Sequence, residues 1–190
     1  MVKSHAFSPY TDNGGTSLAI AGQDFVVVAG DTRMSEGYSI NTRYAPKVFK
    51  LSNGSVLATG GMFADAKALV QVLEQQLETY SFNHSKLMSS TALAQMLSVI
   101  LYGKRFFPYY VWNTLGGLDE NGMGAVFSYD PVGNYEKHLY NCSGSAGHLI
   151  QPFLDSRVIL FLFYYIDWFE TYRWTGKRYK TSVGTGAQNH

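Results

Sequence analysis

Apolar and polar positions alternate in short blocks along the first third of the chain, with Gly- and Asn-rich breaks between the blocks. Thr11-Asp-Asn-Gly-Gly15 is a polar lead-in with turn character. Thr16–Gly22 and Phe25–Gly30 read as two strands, and Gln23-Asp24 between them predicts a tight hairpin. The second stretch is continuously apolar, which predicts a strand covered on both faces. Lys47–Leu51 and Val56–Thr59 flank Ser52-Asn-Gly-Ser55. Asn-Gly between apolar runs predicts a hairpin, because both central residues of a type I′ turn need positive φ.

Gly60-Gly61 then reads as a turn into a helix, where Ala66, Leu69, Val70, Leu73 and Leu77 recur at three- and four-residue spacing. A second helix is expected to start at Ser89, Ser90 or Thr91, any of which can cap it, and to stop near Gly103. Its stripe is Leu93, Met96, Leu97, Ile100 and Leu101, and both stripes read as core. Strand character returns over Pro108–Leu118, Gly124–Tyr129 and Tyr135–Cys142, with turns at Asp119–Gly122 and Asp130–Gly133. Hairpins with a pair of helices inserted between them predict an α+β layered architecture with antiparallel sheets.

Composition narrows the partners. At 190 residues the chain suits one domain that buries roughly 70% of its unfolded surface. Only 15% of residues are charged, against about 25% in an average soluble domain. Fourteen Tyr and twelve Phe point the same way, toward extensive subunit contacts, since interface cores are aromatic-rich and charge-poor. A net charge of +1 calls for neither nucleic acid nor an anionic membrane. Cys142 is the single cysteine, and His5, His84, His138, His148 and His190 show no ligand spacing, so no metal or cofactor is expected. The N-terminal residues have no apolar signal-like run, and the longest apolar stretch, Val158–Ile166, is nine residues where a membrane span needs about 20. A soluble intracellular chain is the expectation. Lys104-Arg-Phe-Phe107, Gly60-Gly61 and Gly184-Thr-Gly186 lack the context that nucleic-acid or phosphate binding requires.

Asn13-Gly-Gly-Thr-Ser-Leu-Ala-Ile20, followed by Val28-Ala-Gly-Asp-Thr-Arg33, resembles the opening of proteasome β subunits, which are N-terminal-nucleophile hydrolases. Tyr44-Ala-Pro-Lys47, Gly60-Gly61 and Asp65 continue the likeness. Phe7–Tyr10, Leu101–Tyr110, Gly117–Glu120 and Gly124–Gly133 also look like that family, so the resemblance covers roughly residues 7–155. It implies a four-layer αββα sandwich of two antiparallel sheets, incomplete at its C-terminal end. The implied organisation is a prosegment-like extension over 1–14, a β-type domain over 15–155 and a divergent tail over 156–190. The implied partners are other β subunits in a heptameric ring, the α subunits of the adjacent ring and the opposite β ring, with assembly chaperones during assembly. The implied setting is ubiquitin-dependent protein breakdown in cytoplasm and nucleus.

In catalytic members the resemblance places an aspartate sixteen positions after the nucleophilic threonine and a lysine sixteen after that. Asp31 and Lys47 keep that separation here, and counting back from Asp31 reaches Gly15, which has no side chain to attack a carbonyl. Thr16 is one position late, and a one-residue shift in a strand sends a side chain to the opposite face unless a bulge intervenes. Asp31, Arg33, Lys47, Gly61 and Ser145 match positions that, in active relatives, orient the threonine, tune its pKa or bind the oxyanion. The expectation is a non-catalytic β subunit with a vestigial site at Gly15, Asp31, Arg33, Lys47, Gly61 and Ser145. Two alternatives stay open: a threonine endopeptidase using Thr16 after autolysis, and a truncated isoform that does not assemble. The likeness ends after Asp155, where an aromatic run and a basic stretch from Lys177 to His190 follow. Loss of closing elements there would leave a sheet edge and a core face uncovered.

Overall fold

The computed structural model describes residues 8–169, with side chains as far as residue 158. In chain order the elements are β1 (Thr16–Ala21), β2 (Val26–Gly30), β3 (Met34–Glu36), β4 (Ser39–Thr42), β5 (Val48–Lys50) and β6 (Val56–Gly61). Then come α1 (Phe63–His84), α2 (Ser90–Tyr102), β7 (Val111–Leu118), β8 (Gly124–Tyr129), β9 (Tyr135–His138), β10 (Tyr140–Gly144) and α3 (Gly147–Phe169). All strand pairs are antiparallel: a three-stranded sheet β10-β1-β2, a five-stranded sheet β5-β6-β7-β8-β9, and the separate hairpin β3-β4.

Register sorts each strand's residues between faces. Ser17 and Ala19 lie opposite Gly30 and Val28, are buried, and point toward the five-stranded sheet. The two sheets approach so closely that Val26 and Val28 methyl groups stand 2.7 Å from where a side chain on Gly116 would begin. Only glycine fits there. The opposite face of the five-stranded sheet carries Leu57, Val111, Leu115 and Phe127 against Leu69, Leu73 and Leu77 of α1 and Leu93, Leu97 and Leu101 of α2. The layers are therefore helix pair, sheet and sheet, an α+β sandwich. α3 follows directly on β10, and the Cys142 N–H donates to Gln151 Oε1 at 3.2 Å. The first compact unit runs to Leu154, and Asp155 onward forms a second.

Ser89 caps α2, accepting the Ala92 N–H at 3.2 Å, and Gly103 ends that helix as expected. α1 starts earlier than its stripe, at Phe63, and its cap position Met62 offers no side-chain acceptor.

The structure departs from the sequence expectations at four places. Gly60-Gly61 is not a turn but the end of β6, opposite Trp112 and Val111. The run Tyr135–Cys142 is two strands in two sheets, divided at Leu139, because alternation shows a strand's faces but not its neighbour. The β3-β4 hairpin was unread; its residues are largely exposed, so no buried face imposes alternation. β2 is an edge strand whose outward Val27 is 51% exposed, so it is covered on one face only. The apolar run from Val158 lies within α3, which continues to Phe169, and the stretches Lys177–His190 and Gly184–Gly186 lie outside the described residues. Among the described residues, no helix is long and apolar enough to cross a membrane.

Under the helices, Thr59 and Asn113 face each other across β6 and β7, each about 1% exposed, and Thr59 Oγ1 and both Asn113 side-chain polar atoms have no hydrogen-bond partner there. A buried polar atom left in this way costs about 1–3 kcal/mol. Thr59→Val keeps the shape and removes one such atom. It is expected to raise the denaturant midpoint, by about 1 kcal/mol of stability at constant m.

Candidate functional site

The site is organised by one ammonium group. Lys47 precedes β5 and is 3% exposed, its backbone carbonyl accepting the Thr59 N–H at 2.9 Å. Its Nζ donates to Asp31 Oδ1 at 2.9 Å and to the Arg33 carbonyl. Asp31 Oδ1 also accepts the Thr16 N–H at 2.8 Å, and Oδ2 accepts the Arg33 N–H at 3.1 Å. Burial pushes the Asp31 carboxyl up, but the Lys47 hydrogen bond, the Thr16 and Arg33 amides and the Lys47 charge together hold it below its ordinary 3.8. Arg33 enters this network through its backbone, a contribution that residue identity does not reveal.

Gly15 stands directly in front of the lysine. A Cβ on it would lie 2.4 Å from Lys47 Cε and 2.7 Å from Nζ, and its φ is +101°, a conformation that favours glycine. No hydroxyl, thiol or carboxylate reaches that point from position 15. Thr16 lies on the other face. In the β1 register it shares its face with Leu18 and Ile20, opposite to Ser17 and Ala19, and its Oγ1 accepts the Ala146 N–H at 3.0 Å. β1 pairs with β2 and β10 without a register shift, so no bulge turns Thr16 back toward Lys47. Its nitrogen is an amide within the chain, bonded to Asp31.

Ser145 closes the back of Gly15, its N–H donating to the Gly15 carbonyl at 2.9 Å. Gly61 is buried at the end of β6 beside Tyr110, and its carbonyl accepts the Asn13 N–H at 3.1 Å. Thus Gly15, Asp31, the Arg33 backbone, Lys47 and Ser145 converge, and Gly61 joins them through Asn13. Asn13 was read as part of a turn-like lead-in and of the family-like segment but not as a site residue, yet it is 8% exposed and both its side-chain polar atoms are hydrogen-bonded; a polar residue in a Gly-rich stretch gives no periodic signal of burial.

Residues 11–160 match the family described as proteasome subunit. The chain belongs to the proteasome subunit family. It is 53% identical over 154 residues to proteasome subunit beta type-1 of Danio rerio, covering 81% of this chain and 65% of that relative. Proteasome subunit beta type-1 of Arabidopsis thaliana is 54% identical over 159 residues, covering 83% and 71%. Proteasome subunit beta type-6 of Saccharomyces cerevisiae is 51% identical over 155 residues, covering 81% and 64%. The chain therefore spans about two thirds of the length of these curated proteasome subunits. Every site position named above lies inside the matched family interval.

Two outcomes follow from the geometry. Because Asp31 titrates below its ordinary value when folded, its contribution is complete above pH 3.8 and is lost as pH falls through the depressed value. Asp31→Asn should remove that part of the acid dependence, which urea melts across pH 2–7 would read. At neutral pH its cost should fall between the ~1 kcal/mol of exposed pairs and the roughly 3–5 kcal/mol of buried ones. The reason is that Lys47 is buried while the Asp31 side chain is 39% exposed. Gly15→Ala should cost roughly 1–3 kcal/mol for its left-handed backbone alone. It should also displace Lys47, seen as faster amide exchange at Thr16 and Arg33.

Proposed function

We propose that this chain is a non-catalytic β subunit of the proteasome core particle, contributing wall and interface to ubiquitin-dependent protein breakdown in cytoplasm and nucleus. Its partners in this reading are neighbouring β subunits of a seven-membered ring, the adjacent α ring and the opposite β ring, with chaperones acting during assembly. The observation that carries the reading is the α-carbon of Gly15 in front of Lys47 Nζ, where a nucleophilic side chain would have to stand. The orientation of Thr16 supports it as well, since its hydroxyl is engaged by Ala146 on the far face of β1. Family membership and the low charge content of the chain support the assembly part.

The Asp31–Lys47 pair does not argue for activity. A buried lysine needs a counter-charge whether or not chemistry takes place beside it, and loss of the partner would leave Lys47 uncompensated.

One preparation tests both halves. Co-expressed with its partner subunits, the chain should co-purify in a particle of proteasome size and remain unlabelled by an electrophilic peptide probe that labels catalytic subunits. Label on this chain, with Thr16 as the amino-terminal residue by sequencing, would establish the threonine endopeptidase reading instead. Recovery only as free chain would support a form that does not assemble.

A further inference from the structure

Residues Ser8–Gly14 belong to neither sheet, yet they are held tightly to the body of the protein. Asn13 does most of this. Its N–H donates to the Gly61 carbonyl at 3.1 Å, and its carbonyl accepts the Ser35 N–H at 3.3 Å. Its side-chain Nδ2 donates to the Ser35 carbonyl at 3.3 Å, and Oδ1 accepts the Phe63 N–H at 2.9 Å. One residue thus joins β3, the end of β6 and the first turn of α1. The Phe63 contact also supplies the acceptor that Met62 lacks at the α1 cap position. The Asn13 carboxamide supplies the donor and the acceptor from two separate atoms.

Three residues earlier, Tyr10 is the second anchor. Its ring centroid lies 5.6 Å from that of Phe107 and 5.5 Å from that of Tyr110, and its hydroxyl donates to the Pro108 carbonyl at 2.8 Å. This aromatic cradle is tied back to α1: the Met62 N–H donates to the Tyr110 carbonyl at 2.8 Å, and the Tyr110 N–H to Asp65 Oδ2 at 2.9 Å. A cavity of about 280 Å³ remains beside Tyr10, lined among others by Pro9, Met62, Asp65 and Phe107.

We propose that β3, the end of β6, the start of α1 and the Lys104–Tyr110 segment form a groove for an extended peptide carrying an aromatic residue three positions before an asparagine, and that Pro9–Asn13 of this chain is its resident occupant. Main-chain bonds on both sides of Asn13 give the affinity expected of strand addition, and the Tyr10 and Asn13 side chains give selectivity. The segment closes the groove to other peptides and sets Gly15 against Lys47. The inference does not depend on whether the chain has peptidase activity.

The test uses the full chain. A fluorescent peptide with the sequence of residues 8–14 should not bind the wild type, whose groove is filled, and should bind the double variant Tyr10→Ala, Asn13→Leu saturably. The same peptide with leucine in place of asparagine should bind that variant at least tenfold more weakly. Binding to the wild type equal to that of the variant, or no binding to a folded variant, would overturn the proposal. Hydrogen exchange on single variants decides independently of the double variant's folding. Asn13→Leu should speed exchange of the Phe63 amide roughly fivefold or more while α2 amides stay protected, and Asn13→Asp, which keeps the acceptor, should not. Unchanged Phe63 exchange in Asn13→Leu would remove the clamp and the proposal with it.

Discussion

A lysine ammonium with 3% exposure cannot be left without partners, and that single requirement orders the centre of this protein. Lys47 takes Asp31 and the Arg33 carbonyl as acceptors, which fixes the loop after β2. Asp31 in turn takes the Thr16 amide, which fixes the start of β1. Once β1 begins at Thr16, its pairing with β2 and β10 decides which residues look toward the five-stranded sheet and which look away. The environment of Gly15 is the sum of these choices. Each of these contacts also meets the solvation demand of one buried charge.

The elements with a strong buried face were legible from the sequence. Leu69, Leu73 and Leu77, and Leu93, Leu97 and Leu101, recur at helical spacing because each must reach the same sheet, and all six are buried. Gly124–Tyr129 emerged with its observed bounds because it is a central strand with a neighbour on each side. What escaped reading lacks such a face. Met34–Glu36 and Ser39–Thr42 pair only with each other, and the surrounding residues Tyr38 and Tyr44 are fully or largely exposed. Leu139 divides β9 from β10 because its neighbours go to different sheets, a choice made by tertiary packing rather than local pattern.

At the site, the charged pair and the position of Gly15 were reached through the sixteen-residue spacing that the family resemblance implies, not through any local pattern, since a hairpin lies between Asp31 and Lys47. The backbone partners could not be reached that way. Arg33 contributes an N–H and a carbonyl that any residue possesses, and Ser145 contributes an N–H. Asn13 was invisible for a different reason: its four hydrogen bonds go to β3, to the end of β6 and to Phe63, and Phe63 lies fifty positions away. Nothing in a short window around Asn13 encodes those partners.

The parity of β1 is what separates the two readings of the centre. Moving from Gly15 to Thr16 advances the chain by one residue, and in a strand one residue is half a period. Ser17, Ala19 and Val28 occupy the inner face, so a rotation bringing Thr16 Oγ1 toward Lys47 would drive Ser17 and Ala19 outward together. It would also break the Ala146 bond to Thr16 Oγ1 and the Thr16 bond to Asp31. Thr16 is therefore not a small displacement away from Lys47. It sits on the wrong side of the sheet, held there by the same packing that builds the sandwich.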